Sequence, residues 1–287
     1  MPETPRLDPE LIAEGFRDAC RQELAALKPG NVHVHSPGHG LEVRDFELSA
    51  DAAAPHIAAR SARVGARIRT AVEATWGAVA TNTNLGIVLL CAPLAAAAET
   101  ARRGETLRGT LARVLAGLDR RDATDAFAAI ALANPAGLGT VPQADVAGPA
   151  TVTLLEAMRL AADRDRIAGA YATDFADVFE FALPRLAAAR AAADSPELAV
   201  TGLHMALLAA FTDSHIARKW GGEVAEDVRR EALAIAPAST PAPAPNALKT
   251  LHDFDESLKR RRLNPGTTAD FVVATLFAEF LGRNLRS

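Results

Sequence analysis

Apolar residues recur at helical spacing along nearly the whole chain. Leu11, Ile12, Phe16, Cys20, Leu24 and Leu27 share one face of a helix predicted from Asp8, with Pro9 at its first position, to about Leu27. The same period predicts a long helical region over 46–75, capped by Asp45 and bent at Pro55. A further helix opens at Thr81–Asn84 and runs to about Arg103. Others are predicted at about 106–119, 122–133, 151–169, 173–194, 197–211, 222–236, 247–261 and 267–284. Three stretches break the pattern: 28–44, 134–145 and the Pro/Ala-rich run 236–246, which reads as an exposed extended linker. A long non-periodic loop inside a helical domain is usually functional or mobile. With no internal repeat, the expectation is an all-α protein, one globular domain over 1–287 of about ten or more packed helices.

Composition sharpens this. Hydrophobic residues make up 49% of the 287, enough for a full core, and much of that share is alanine, which favours helix and close helix packing. A net charge of −4 gives no general attraction to nucleic acid or to acidic membranes, and no basic stripe interleaves with aromatics. Cys20 and Cys91 lie in apolar helical contexts, the pattern of reduced, buried thiols. The first residues lack a signal-peptide core, and the longest apolar stretch, 85–98, is too short to span a bilayer. The expected location is cytoplasmic, without membrane or nucleic-acid partners, and the Ala-rich helices leave room for a homodimer.

Five polar islands sit at helix boundaries: Lys28–Asn31, Thr81–Gly86, Asn134–Asp145, Asp213–Lys219 and Asn264–Asp270. Helix N-termini present unpaired N–H groups and a positive dipole end, so several of them could hold phosphate. Neither G-x-x-x-x-G-K-[ST] nor G-x-G-x-x-G occurs, so a nucleotide would be held in another way. Lys28, Arg218 and Lys219 are candidate phosphate contacts, and Asp213 could hold a metal ion or take a proton. Capping explains Asp270 equally well, the Asp213–Lys219 run has an ordinary capped surface helix as its alternative, and Lys28 could be a solvated helix-end cation. His33, His35 and His39 form a weak zinc pattern with no partner at fixed spacing. Arg164 and Asp165 belong to a charged run that reads as a solvated face. No serine has the context of an activated nucleophile.

Six ordered segments together resemble the triphosphoribosyl-dephospho-CoA synthase family (CitG/MdcB-like): Lys28-Pro-Gly-Asn-Val, Asp45-Phe-Glu-Leu-Ser-Ala50, Thr81-Asn-Thr-Asn-Leu-Gly86, Asn134-Pro-Ala-Gly-Leu-Gly139, Asp213-Ser-His-Ile-Ala-Arg-Lys-Trp-Gly221 and Asn264-Pro-Gly-Thr-Thr-Ala-Asp270. The resemblance implies an all-α enzyme that takes ATP and 3′-dephospho-CoA. The acceptor's ribose 2′-hydroxyl attacks C1′ of ATP, adenine leaves, and the triphosphate stays on the product. It implies nucleotide contacts at Lys28, Pro29, Gly30, Asn31, Ser49, Thr81, Asn82, Thr83, Asn84, Gly86, Asn134, Gly137, Ser214, Arg218, Lys219, Asn264, Gly266 and Thr267. Asp45, Asp213 and Asp270 would be catalytic, with Asp45 and Asp213 also placed on Mg²⁺. An oxocarbenium-like C1′ would call for a nearby carboxylate.

Lyase-associated members read Asn-Thr-His-Lys-Gly where this chain has Asn82-Thr-Asn-Leu-Gly86, and carry a Gly-x-His-x-Asp-Met-like segment of which only Gly38-His39 and a displaced Arg44-Asp45 remain here. The Asn-Thr-Asn-Leu-Gly form resembles a branch of methanogenic archaea and methylotrophic bacteria linked to one-carbon metabolism. The acceptor is therefore either dephospho-CoA or a one-carbon cofactor precursor of the tetrahydromethanopterin or methanofuran type. A non-catalytic nucleotide-binding or assembly protein is the alternative of a different class.

Overall fold

A computed structural model describes residues 7–36, 38, 40–133, 150–235 and 247–286. Among them the chain forms fourteen α-helices and no strand. They are α1 (Pro9–Ala25), α2 (Val43–Ile57), α3 (Val64–Val79), α4 (Leu85–Thr100), α5 (Leu107–Ala116), α6 (Arg120–Ala133), α7 (Leu154–Ala161), α8 (Arg166–Ala172), α9 (Leu183–Ala192), α10 (Pro196–Ala210), α11 (Ser214–Trp220), α12 (Gly222–Ile235), α13 (Ala247–Arg260) and α14 (Gly266–Asn284). A π-helical turn, Asp177–Ala182, leads into α9. The run 236–246 and the loop residues 134–149 lie outside the described residues, and with them Asn134 and Gly137.

The helices gather into two compact units: Met1–Ala19, Phe46–Ala176 and Leu276–Ser287 in the first, Cys20–Asp45 and Asp177–Thr275 in the second. In the first, α4 is the central helix. Residues 87–98 are all buried, so it has no polar face to turn to water. A helix apolar all round is stable only when neighbours enclose it, and α3, α5, α6 and α8 pack on it. Tyr171 of α8 donates its hydroxyl to the Leu89 carbonyl at 2.6 Å, and burial holds that phenol far above its usual pKa. In the second unit, Leu27, Met205, Leu208, Ile216, Val228, Leu251, Phe254, Leu258 and Leu263 form one apolar cluster. It is built from α10 to α13 and the chain that follows α1.

Three predicted helices are broken in the structure. The region 46–75 is two helices, and the break is at 58–63 rather than at Pro55, which lies inside α2. Buried Arg67 causes the break to hold. Its guanidinium donates to the carbonyls of Ile57 (2.6 Å) and Ala62 (3.0 Å) and pairs with Glu99, whose other oxygen accepts from Ser61 N–H at 2.7 Å. Ser61 itself takes a left-handed conformation, φ 56°. The region 151–169 divides at the charged run, where Asp165 accepts from the N–H groups of Ile167 and Ala168 and starts α8. Asp165 is thus a cap, not part of a solvated helix face. The region 173–194 divides at the π turn, with Pro184 in the first turn of α9.

Candidate functional site

In the second unit the chain leaves α1 and folds inward at Lys28. Its side chain is fully buried. The ammonium pairs with Glu23 at 2.8 Å and donates to Asn31 Oδ1 at 3.3 Å and to the Val32 carbonyl. Three donors meet three acceptors, so Lys28 has none left for a phosphate. Burial drives the Lys28 ammonium below its usual pKa and the Glu23 carboxyl above its own, and their attraction opposes both shifts. Gly30 follows with φ +83°; a Cβ there would lie 2.8 Å from Leu258 and from Pro265. Only glycine fits both conditions.

Asp255 of α13 fixes this loop. One oxygen accepts from Gly30 N–H at 2.8 Å. The other is 2.9 Å from Lys259 Nζ and 3.4 Å from His33 Nε2. Burial pushes the Asp255 carboxyl up, but the bonds from His33, Lys259 and Gly30 outweigh it and hold the pKa below the usual value. Burial lowers the pKa of His33, against the pull of Asp255, and so favours the neutral ring. Asn31 donates to Asn264 Oδ1 at 2.8 Å, so the first and last of the polar islands meet in the second unit.

Asp213 starts α11 and also holds the start of α14. One oxygen accepts from Ile216 N–H at 3.1 Å, and the other from both the N–H and the hydroxyl of Thr268, each at 2.8 Å. Thr267 accepts from His215 N–H at 3.1 Å. Asp213 is fully buried, and these four bonds join two helix N-termini, where a carboxylate is favoured. The geometry gives it the role of a clamp between the two helix starts. Ser214 is buried beside it, Arg218 and Asp270 are half-buried, and Lys219 is exposed with its ammonium 5.7 Å above the Trp220 ring. Asp45 reaches back to accept from Glu42 N–H at 2.8 Å, the geometry of a cap on α2. Among the described residues no three His, Cys, Asp or Glu side chains gather as a metal site.

In the first unit, α3 ends at left-handed Ala80 and α4 begins five residues later. The polar residues between them satisfy the backbone there. Asn82 accepts from Leu85 N–H at 3.2 Å, and Thr83 donates to the Ser49 hydroxyl at 2.6 Å. Buried Asn84 donates to Thr75 at 3.0 Å and to the Ser49 carbonyl at 3.4 Å. Asn84 and Ser49 are therefore engaged within the scaffold, while Thr81, Asn82, Thr83 and Gly86 are half-buried.

Glu23, His204, Asp255 and Lys259 were not singled out by the sequence. The Asp255/Lys259 spacing looks like any exposed helical ion pair, and Glu23 and His204 stand among periodic apolar residues. His204 is fully buried on α10, and neither ring nitrogen has a well-aligned hydrogen bond. Burial lowers its pKa to about 3; the charge of Lys28 adds to this, and the Pro29 carbonyl opposes it. The unfolded chain takes up this proton near pH 6.5, and the folded chain does not until about pH 3. Stability from His204 is thus complete above pH 6.5 and falls as the pH drops toward 3, by about 1.4 kcal/mol per pH unit. In His204→Phe, urea denaturation between pH 6 and 4.5 should show a slope shallower by about that amount. An unchanged slope would clear His204 of this role.

The comparisons with known proteins agree with this architecture. A solved structure from Archaeoglobus fulgidus, described as a "putative triphosphoribosyl-dephospho-CoA synthase", superposes with a TM-score of 0.60 at 22% identity, covering 80% of this chain and 95% of that one. At that identity the likeness speaks for the fold. No curated protein matches the chain. The CitG family model, described as ATP:dephospho-CoA triphosphoribosyl transferase, matches residues 9–287. The chain belongs to the CitG family of ATP:dephospho-CoA triphosphoribosyl transferases.

Proposed function

We propose that this transferase moves the 5-triphosphoribosyl group of MgATP onto the ribose 2′-hydroxyl of 3′-dephospho-CoA. The observation that carries the reading is the family match from residue 9 to residue 287, which takes in every polar island. In the reaction the C1′–N9 bond of ATP breaks and a C1′–O2′ bond forms. The proton of the hydroxyl leaves with adenine, and the three phosphates remain on the transferred ribose. The groups of the second unit suited to this are Arg218 and Lys219 for phosphate oxygens and the half-buried Asp270 for positive charge developing at C1′. In this reading Mg²⁺ enters as part of the nucleotide substrate.

Incubation with MgATP and dephospho-CoA, followed by mass spectrometry, is expected to show free adenine and a product carrying triphosphoribose. ADP or AMP without adenine would sink ribosyl transfer. Adenine released only with a tetrahydromethanopterin or methanofuran precursor would move the acceptor and keep the chemistry. A chelator should stop turnover and leave the melting temperature unchanged, because the ion travels with ATP; a fall in melting temperature would place a metal in the fold.

A further inference from the structure

The loop that buries Lys28 brings a second ammonium to its rim. Lys259 Nζ lies 2.9 Å from Asp255 Oδ2, 3.2 Å from the Ser36 carbonyl and 3.4 Å from His33 Nε2. Whether the third contact uses a donor depends on the His33 tautomer. Nε2 is also 3.4 Å from Asp255 Oδ2, and one ring nitrogen cannot both accept from Lys259 and donate to Asp255. Nδ1 is buried and has no hydrogen-bond partner among the described residues. If Nε2 accepted from Lys259, the ring proton would sit on Nδ1 as a buried orphan donor. An orphan acceptor is the better tolerated of the two. The proton therefore belongs on Nε2, which donates to Asp255, and the neutral ring expected from burial is consistent with this.

With that tautomer, Lys259 spends one N–H on Asp255 and one on Ser36. Its third N–H has no acceptor among the described residues, and the side chain is 14% exposed, against 0% for Lys28. The ammonium is also held in place. Asp255 is anchored by Gly30 N–H, and the loop closes on the lysine stem so tightly that a Cβ on Gly38 would sit 3.2 Å from Lys259 Cε. A fixed cation with one free donor suits a phosphate oxygen.

We infer that Lys259, and not the motif lysine Lys28, supplies the cation that this loop offers to a phosphate oxygen of a substrate. The inference rests on the triphosphoribosyl-transfer reading. The oxygen belongs either to the triphosphate of ATP or to the phosphates of dephospho-CoA, and the two are distinguished by titrating each ligand separately.

The test is calorimetric titration of wild type, Lys259→Met, Lys259→Arg and the control Lys249→Met with MgATP, inorganic tripolyphosphate and dephospho-CoA. Lys249 sits on the same helix, exposed and paired with Asp253. Lys259→Met should weaken the ligand it contacts by roughly tenfold to a hundredfold, while Lys259→Arg recovers most of the loss and Lys249→Met changes nothing. Equal affinities in wild type and Lys259→Met would overturn the inference and leave the enzymatic reading standing. No binding of any ligand by wild type would overturn both. Should Lys259→Met fail to fold, wild type decides alone: the ligand that Lys259 touches should protect it from acetylation by an N-hydroxysuccinimide ester, read by peptide mass, and absence of protection by every ligand overturns the inference.

Discussion

Lys28→Met should be among the most destabilising single substitutions in the chain, by about 3–5 kcal/mol in urea denaturation. The cause is what remains behind. Glu23 has 6% of its side chain exposed and pairs with Lys28 at 2.8 Å. Without the ammonium, a carboxylate is left buried and uncompensated, and Asn31 and the Val32 carbonyl lose their donor. Replacing both ends of a buried ion pair with apolar residues is often nearly neutral, so Glu23→Leu combined with Lys28→Met should recover much of the loss. The double variant also separates two roles for Lys28. As an internal staple, it can be removed with its partner and MgATP affinity should return along with stability. If stability returns and affinity does not, Lys28 touches the nucleotide after all. A single variant as stable as wild type would show that the pair contributes nothing.

Gly65→Ala is expected to be nearly as damaging in the first unit, for a reason of shape rather than charge. A Cβ at this position would sit 2.4 Å from Asp122 Cα and 2.5 Å from its carbonyl oxygen. Both atoms are backbone in α6, so no side chain can swing away. The same approach lets Gly65 N–H donate to Asp122 Oδ1 at 2.8 Å. Separating α3 from α6 to admit the methyl would lengthen this bond and loosen the interface around it. Overpacking usually costs 1–3 kcal/mol, and backbone contacts put this case at about 3 kcal/mol or above. For a chain of this size the melting temperature should fall by at least ~6 °C. Alanine is otherwise the better helix former, so an unchanged or raised melting temperature would mean that the two helices have room to part.

Much of the helical framework could be read from the sequence because it rests on local signals. The period of Leu11, Phe16, Cys20 and Leu24, with Pro9 at the start, matches α1 closely. What escaped was set by distant partners. The end of α2 is fixed by Arg67 and Glu99, 10 and 42 residues beyond Ile57, and nothing local marks Ala58–Arg63 as a break. The polar islands were visible as islands, but polarity alone did not distinguish a contact for ligand from a contact for backbone. Asn84, Ser49 and Asp213 turned out to bond their own scaffold. Lys28 was legible as important and not as buried, because its partner Glu23 lies five residues back inside α1, while Lys28 itself lies beyond the helix end. Lys259 was invisible, since its position depends on a loop more than 200 residues earlier in the chain.

That separation has a consequence for how the protein is made. Gly30 meets Asp255, His33 meets Lys259, and Asn31 meets Asn264, pairs separated by 225, 226 and 233 positions in sequence. A ribosome adding roughly 5–20 residues per second takes on the order of ten to forty seconds to cover that distance. Through that interval the nascent loop carries its glycines, histidine and lysine without the aspartate that anchors them. Its geometry is written early in the message and completed only after more than 200 further residues have been added.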